Sequence, residues 1–171
     1  MINCPFCGHE EIEGVDQCNE CGHSLTDDSR PEPATEVERS IMSDTIADLA
    51  PHTPVVVDVS ATVKEVLNTL VENSIGCVLV TKDDAIVGIF SEKDALRRLN
   101  VDAASHADEP ISKFMTKSPE TLKDNANIAF AVHRMDQGGF RHVPIMGSKG
   151  VPKGIISVRD ILRFLNEKLH A

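Results

Sequence analysis

Gly88-Ile89-Phe90-Ser91-Glu92-Lys93-Asp94-Ala95-Leu96-Arg97-Arg98-Leu99-Asn100 is matched, 66 residues further on, by Gly154-Ile155-Ile156-Ser157-Val158-Arg159-Asp160-Ile161-Leu162-Arg163-Phe164-Leu165-Asn166. Eight of the thirteen positions are identical. Further out, at an offset of 65, Thr53-Pro54-Val55-Val56-Val57 lies over Ser118-Pro119-Glu120-Thr121-Leu122, and the helical segments that follow align as well. The one-residue difference falls in the loop at Gly147 to Gly150. Internal similarity at this length predicts two related units packed as a pair. A unit of about 60 residues is marginal alone, so the two are expected to share one core.

Each unit reads as strand, helix, strand, strand, helix, an α/β (α+β) architecture. In the first, Val55 to Val57 is a short strand, and Thr62-x-x-Glu65 has the spacing of a capping box. Val63, Val66, Leu67, Leu70 and Val71 mark one helical face. Ile75 to Thr81 and Ile86 to Phe90 are strands across an Asp83-Asp84 turn, and Cys77 reads as a small buried hydrophobe within the first of them. Ser91 opens the last helix, with Ala95, Leu96 and Leu99 inward. The second unit places Asn127 at the cap and turns Ile128, Ala131, Val132 and Met135 inward. Its strands fall near Arg141 to Met146 and Gly154 to Ile156. Ahead of the repeats, Val37, Ile41, Met42, Ile46 and Leu49 recur at helical spacing until Pro51 stops the run.

Of the 171 residues, 41% are hydrophobic, 26% charged and 4% aromatic, which excludes collagenous, mucin-like and wholly disordered classes. The densest apolar patch, Ile75 to Val80, is far short of the roughly 20 residues that cross a bilayer. No charged-then-apolar leader follows Met1, so the expected location is the cytoplasm, with no membrane partner. The net charge of -10 is uneven: residues 1–40 hold ten carboxylates against Arg30 and Arg39. An acidic N-terminal part repels phosphate backbones, so nucleic acid is a disfavoured partner.

Four of the five cysteines form two C-x-x-C pairs, Cys4-Pro5-Phe6-Cys7-Gly8 and Cys18-Asn19-Glu20-Cys21-Gly22. Two thiolates three positions apart bind one ion only if the backbone turns tightly, and a following Gly permits that turn. Disulfides or a redox pair are the competing readings. A redox motif is normally a single C-x-x-C, and a cytosolic chain rarely keeps structural disulfides. Two such knuckles ten residues apart resemble a zinc ribbon, with Cys4, Cys7, Cys18 and Cys21 as ligands of a structural Zn2+. With four thiolates no position stays open for catalysis. About 25 residues cannot fold by burial alone, so the metal would supply the stability. His9 and His23 read as loop residues, one of them replacing a sulfur ligand being the alternative. Residues 26–40, polar with Pro31 and Pro33, read as an acidic linker that separates the ribbon from the repeats.

The tandem unit, ending each time in Gly-apolar-apolar-Ser-x-x-Asp, resembles a pair of CBS domains, and Phe140-Arg141-His142-Val143-Pro144-Ile145 resembles the entry to that domain's third strand. The resemblance spans about 41–168, giving a layout of ribbon 1–25, linker 26–40, first domain 41–105 and second domain 106–171. It implies a pseudo-symmetric pair whose cleft holds an adenosine ligand (AMP, ADP, ATP or S-adenosylmethionine). Asp94 and Asp160 would bind ribose, Ser91 and Ser157 ribose or phosphate. Gly88 and Gly154 would admit the ligand to the backbone. Lys93, Thr121, Phe140, Arg141, His142 and Arg159 complete the implied site. On physics alone Ser91-x-x-Asp94 and Ser157-x-x-Asp160 read first as helix caps, and Arg141-His142 reads equally as an exposed strand start. Arg141 and His142 align with Gly76 and Cys77, which predicts a stronger site for phosphorylated ligands around Asp160.

His52, His106, His133 and His170 form no spaced pair, and neither a Ser-His-Asp set nor a P-loop is present. The duplicated signature and the resemblance it carries imply a non-enzymatic sensor that signals to a protein partner through the ribbon, and the resemblance further implies a homodimer. The alternative is a structural adaptor whose repeats only dimerise.

Overall fold

The computed structural model describes residues 1–4, 9–25, 35–147 and 151–170. The first knuckle beyond Cys4 (including Cys7), most of the linker and part of the Gly147 to Gly150 loop lie outside the described residues. The chain divides into two compact units that interleave in sequence. One, the α4 unit, comprises Met1–Pro51, Leu122–Ile145 and Ile156–Ala171. The other, the α2 unit, comprises His52–Thr121 and Met146–Ile155.

In the α2 unit, β3 (Val56–Asp58) runs parallel to β4 (Cys77–Lys82), with helix α2 (Val63–Glu72) as the crossover. Thr62 and Glu65 form the capping box that their spacing predicts. The Glu65 carboxylate accepts from the Thr62 N–H at 2.8 Å, and the Thr62 hydroxyl accepts from the Glu65 N–H at 3.3 Å. β4 turns back antiparallel into β5 (Ala85–Ser91) through Asp83 and Asp84. Both have positive φ, 50° and 63°, as a two-residue type I′ hairpin turn requires. β6 (Thr116–Lys117) closes the other edge.

After Ser91 the chain makes only a three-residue α-helix, α3 (Glu92–Asp94). It then relaxes into a π-helical turn over Ala95–Leu99 and a 3-10 segment over Asn100–His106. The wider π turn changes the phase of the side chains. Leu99 stays buried, but Leu96, expected to face inward, is 77% exposed. Val71 likewise faces out, while Val63, Val66 and Leu70 are buried as expected.

A three-stranded sheet has the order β7 (Leu122–Lys123), β8 (His142–Met146), β9 (Pro152–Ser157). β7, β8 up to Ile145, α4 (Ile128–Gly138) and α5 (Val158–Leu169) belong to the α4 unit, and Pro152–Ile155 of β9 to the α2 unit. Ile128, Ala131 and Met135 are buried, joined by Phe130, whereas Val132 turns outward. Asn127 stands at the N-cap of α4 but does not cap it. Its amide donates instead to the Met42 carbonyl at 2.8 Å, tying α4 to the segment ahead of the repeats.

That leading segment is not one continuous helix. Thr35, with Glu38 in a capping box, starts α1 (Glu36–Ser43) inside the expected linker, and a separate 3-10 turn spans Ile46–Leu49. The break occurs because Asp44 and Thr45 are extended and Thr45 pairs with Asn127.

Where the repeat length predicts one shared core, the buried hydrophobic residues described fall into three clusters, one in the α4 unit and two in the α2 unit. The short segment leading into each repeat packs with the other repeat instead. Ile46 and Leu49, ahead of the first repeat, lie in the cluster of α4 and α5. Ile111 and Phe114, their counterparts 65 residues later, lie in the cluster of α2. The backbone bonds repeat the same exchange: Ile46 N–H to the Ala126 carbonyl at 2.8 Å, Ile111 N–H to the Ala61 carbonyl at 2.8 Å. The α2 unit accordingly continues beyond the first repeat, to Thr121.

Candidate functional site

The two Ser-x-x-Asp signatures adopt the same local structure. Ser91 and Ser157 are extended N-cap residues at the ends of β5 and β9. In the first, Asp94 Oδ2 accepts from the Ser91 N–H at 3.0 Å and from its hydroxyl at 2.6 Å, and the Asp94 N–H returns to Ser91 Oγ at 3.3 Å. In the second, Asp160 Oδ2 accepts from the Ser157 N–H at 2.7 Å and its hydroxyl at 2.8 Å. The first N–H of each helix is bonded back across the sheet, Glu92 to the Gly76 carbonyl and Val158 to the Arg141 carbonyl, both at 3.0 Å. The capping reading of both motifs is thus realised.

The second carboxylate oxygen of each aspartate meets an arginine that sequence reasoning did not single out. Arg98 Nη2 lies 3.4 Å from Asp94 Oδ1, and Arg163 Nη2 lies 3.1 Å from Asp160 Oδ1. The signal was present as Asp-Arg pairs at i,i+4 and i,i+3, the spacings that meet on a helix face. The two arginines are held differently. Arg98 also donates to the Phe114 carbonyl at 2.7 Å, to the Met115 carbonyl, and to Thr116 Oγ1 at 3.0 Å, and Thr116 in turn donates to Asp94 Oδ1 at 3.0 Å. Arg163 has Asp160 as its ion-pair partner and no backbone anchor among the described residues.

The other expected residues are placed less uniformly. Gly88 is buried in β5, but a side chain there would strike Met115 and approach the Thr116 carbonyl at 3.1 Å. The space above Gly88 is filled by the protein itself, so this glycine has a packing reason to be small. Gly154 is buried in β9, within the α2 unit, whereas Phe140, Arg141, His142, Ser157, Arg159 and Asp160 belong to the α4 unit. Phe140 is half-buried, with its ring over Gly138, and packs against the α4 core. Arg141, Arg159 and Lys93 are exposed, His142 is half-buried at the start of β8, and Thr121 is exposed ahead of β7.

Near the N-terminus, β1 (Ile2–Asn3) and β2 (Glu10–Glu11) pair antiparallel, and a Gln17–Ser24 bridge closes a second hairpin. The hairpins carry Cys4, Cys18 and Cys21, whose Sγ atoms all lie within 4.8 Å of one another. Cys4 and Cys21 are 3.7 Å apart. A tetrahedron with metal–sulfur bonds of about 2.3 Å has edges of about 3.8 Å, so Cys4 and Cys21 stand at the separation a bound metal needs. All three are thiols rather than disulfides, and Gly22 turns the second knuckle at φ 70°. Glu11, buried between the hairpins, accepts from the Asn19 N–H at 2.6 Å and its side-chain amide at 3.0 Å. The Asn19 backbone N–H is the main cause that holds its carboxyl below the usual range.

This segment is not separated from the repeats. Cys21 packs against the α4 core, and the His23 ring meets that of His133 on α4 edge-on at 6.3 Å.

Cys77 lies apart from this cluster, buried in β4, where desolvation together with Glu92 and Asp94 pushes its thiol up to about 12. At pH 8 it is therefore a thiol, the unreactive form. Iodoacetamide applied to the folded, chelator-treated protein at pH 8 should label Cys4, Cys18 and Cys21 and leave Cys77 unmodified until denaturant is added. Peptide mass spectrometry reads the result, and early labelling of Cys77 would contradict its burial.

The CBS domain sequence pattern matches residues 46–101 and 111–167. An uncharacterized 17.7 kDa protein of Acidianus ambivalens is 32% identical over 127 residues, 72% of this chain and 74% of that one. A CBS domain-containing protein of Arabidopsis thaliana is 30% identical over 101 residues, which are 59% of this chain but 18% of the plant protein. Among solved structures, a CBS-domain protein from Agrobacterium tumefaciens superposes with a TM-score of 0.63 at 30% identity, covering 69% of this chain and 94% of that one. A CBS domain protein from Pyrobaculum aerophilum, solved in complex with AMP, gives a TM-score of 0.63 at 27% identity and covers 74% and 99%.

Proposed function

Because this chain belongs to the CBS domain family, we propose that it is a non-enzymatic regulatory protein that binds an adenine nucleotide at its Ser-x-x-Asp motifs. The supporting observation is the pair of matching motifs, each with a carboxylate oriented by a serine cap, in a chain that covers 99% of an AMP-bound relative. An aspartate fixed by two bonds to one oxygen loses little side-chain freedom when its other oxygen exchanges its arginine for a ribose diol. Asp160 is the stronger candidate, since Arg141 and Arg159 supply exposed cations near Ser157 and the corresponding strand start in the first repeat is Gly76.

The N-terminal thiols fit a structural zinc, completed by Cys7, and the docked hairpins would carry ligand state from the α4 unit to a protein partner in a homodimer. Equilibrium titration with AMP, ADP, ATP and S-adenosylmethionine tests the central point. Saturable binding of one of them is expected, and binding of none overturns it.

A structural adaptor is the second reading, favoured by one observation: both aspartates already have partners on each oxygen without any ligand. An adaptor would bind no nucleotide and still dimerise, which sedimentation in the presence and absence of AMP distinguishes.

A further inference from the structure

The arginines beside the two aspartates divide into one that is built in and one that can leave. Arg98 bridges β6 and the segment before it through two carbonyls and Thr116, so moving it breaks several bonds besides its ion pair. Arg163 projects from the second turn of α5, its side chain 55% exposed, over a carboxylate that is 2% exposed. A ribose approaching Asp160 from solvent must compete with Arg163 for Oδ1, because Oδ2 is committed to Ser157. Once displaced, the guanidinium is still tethered a few ångströms from the bound sugar, with its donors free for an anion.

We propose that Arg163 is the specificity-determining residue of the Asp160 site, closing the carboxylate when no ligand is bound and transferring to the phosphate of a bound nucleoside phosphate. This rests on the nucleotide-binding reading above. The chemistry gives the exchange its direction. A neutral nucleoside takes Asp160 away from Arg163 and returns nothing, leaving a cation unpaired. A nucleoside monophosphate replaces one anionic partner with another, so the charge-assisted bond is exchanged rather than lost. Arg163 thereby rejects adenosine and admits AMP. Arg98, anchored independently of Asp94, has no such freedom, and the Asp94 motif stays structural.

Calorimetric titration of the full chain with AMP and with adenosine, for the wild type, Arg163→Ala and Arg163→Lys, tests the proposal. The wild type should prefer AMP. Arg163→Ala should bind adenosine more tightly than the wild type, because no ion pair has to open, and its AMP-to-adenosine preference should fall on the order of tenfold, the effect of one charge-assisted contact. Arg163→Lys, which keeps the charge without the planar fork, should fall between the two and serves as the deciding variant if the alanine protein does not fold. An unchanged preference in the variants, with both ligands bound, overturns the role of Arg163 and leaves the nucleotide site standing. Failure of the wild type to bind either ligand overturns the site and this proposal together.

Discussion

Asp160→Ala should lower both the unfolding temperature of the ligand-free protein and its affinity for the nucleotide, and by separable amounts. The substitution removes the partner of the Ser157 N–H and hydroxyl at the start of α5, a cap worth about 1–2 kcal/mol. It also strips Arg163 of its counter-ion. On binding, loss of hydrogen bonds to a charged group costs about 1.5–3 kcal/mol, roughly ten- to a hundredfold in Kd. Asp160→Asn should recover part of both, since its amide oxygen still accepts. Asp94→Ala should cost comparable stability, because Thr116 and Arg98 also lose a partner, with little change in AMP binding. Thermal unfolding and calorimetry on the same samples separate the effects. Equal stability losses with nucleotide affinity untouched in both variants would confine the aspartates to capping.

Metal removal should reach further than the N-terminal hairpins. With the proposed zinc supplying its folding energy, the 25-residue N-terminal segment would unfold on chelation. Cys21 packs against the cluster containing Ile46, Ile128, Phe130 and Met135, so that loss exposes part of the α4 core. A loss of about 1–2 kcal/mol, usual for a partly exposed core contact, corresponds to amide exchange in α4 faster by roughly five- to thirtyfold. Amides of α2 and β4, which pack in the clusters of the α2 unit, should exchange as before. Cys21→Ser should reproduce the pattern without chelator. Unaltered protection of α4 after zinc loss would mean that the docking carries no stability. The result differs from that of a tethered, independent ribbon, for which the repeats would not respond at all.

What could be read in the sequence was short-range. The boxes of Thr62 with Glu65 and Ser91 with Asp94 are interactions across three residues, and the Asp83-Asp84 hairpin is one of two. Each is decided by residues visible in one window. Cys77 was legible for the same reason, as one apolar position in a β-branched run. Leu96 was misplaced because a π turn shifts the helical period, and nothing within Ala95–Leu99 marks that shift. Asn127 takes the N-cap position its place in the repeat predicts, but its amide serves a carbonyl 85 residues away rather than the helix. The docking of Cys21 and the crossed placement of Ile46 and Ile111 are likewise contacts between distant segments, set by packing that no local pattern encodes. Of the site, the serines and aspartates were visible as a repeated motif. The arginines that occupy them were visible only as a helical spacing among many such spacings.

The interleaving of the two units bears on how the protein is made. The segment with Cys4, Cys18 and Cys21 packs against residues of α4 and α5 that are translated 100 or more residues later. At about 5–20 residues per second, the intervening 100 or more residues take roughly 5–30 s to emerge. During that interval the nascent thiols have no docking surface, and Ile46 and Leu49 have no core to enter. The α2 unit waits too, since Met146–Ile155 comes from the second repeat. Neither unit can be completed until the second repeat has emerged, so each stays open through most of elongation.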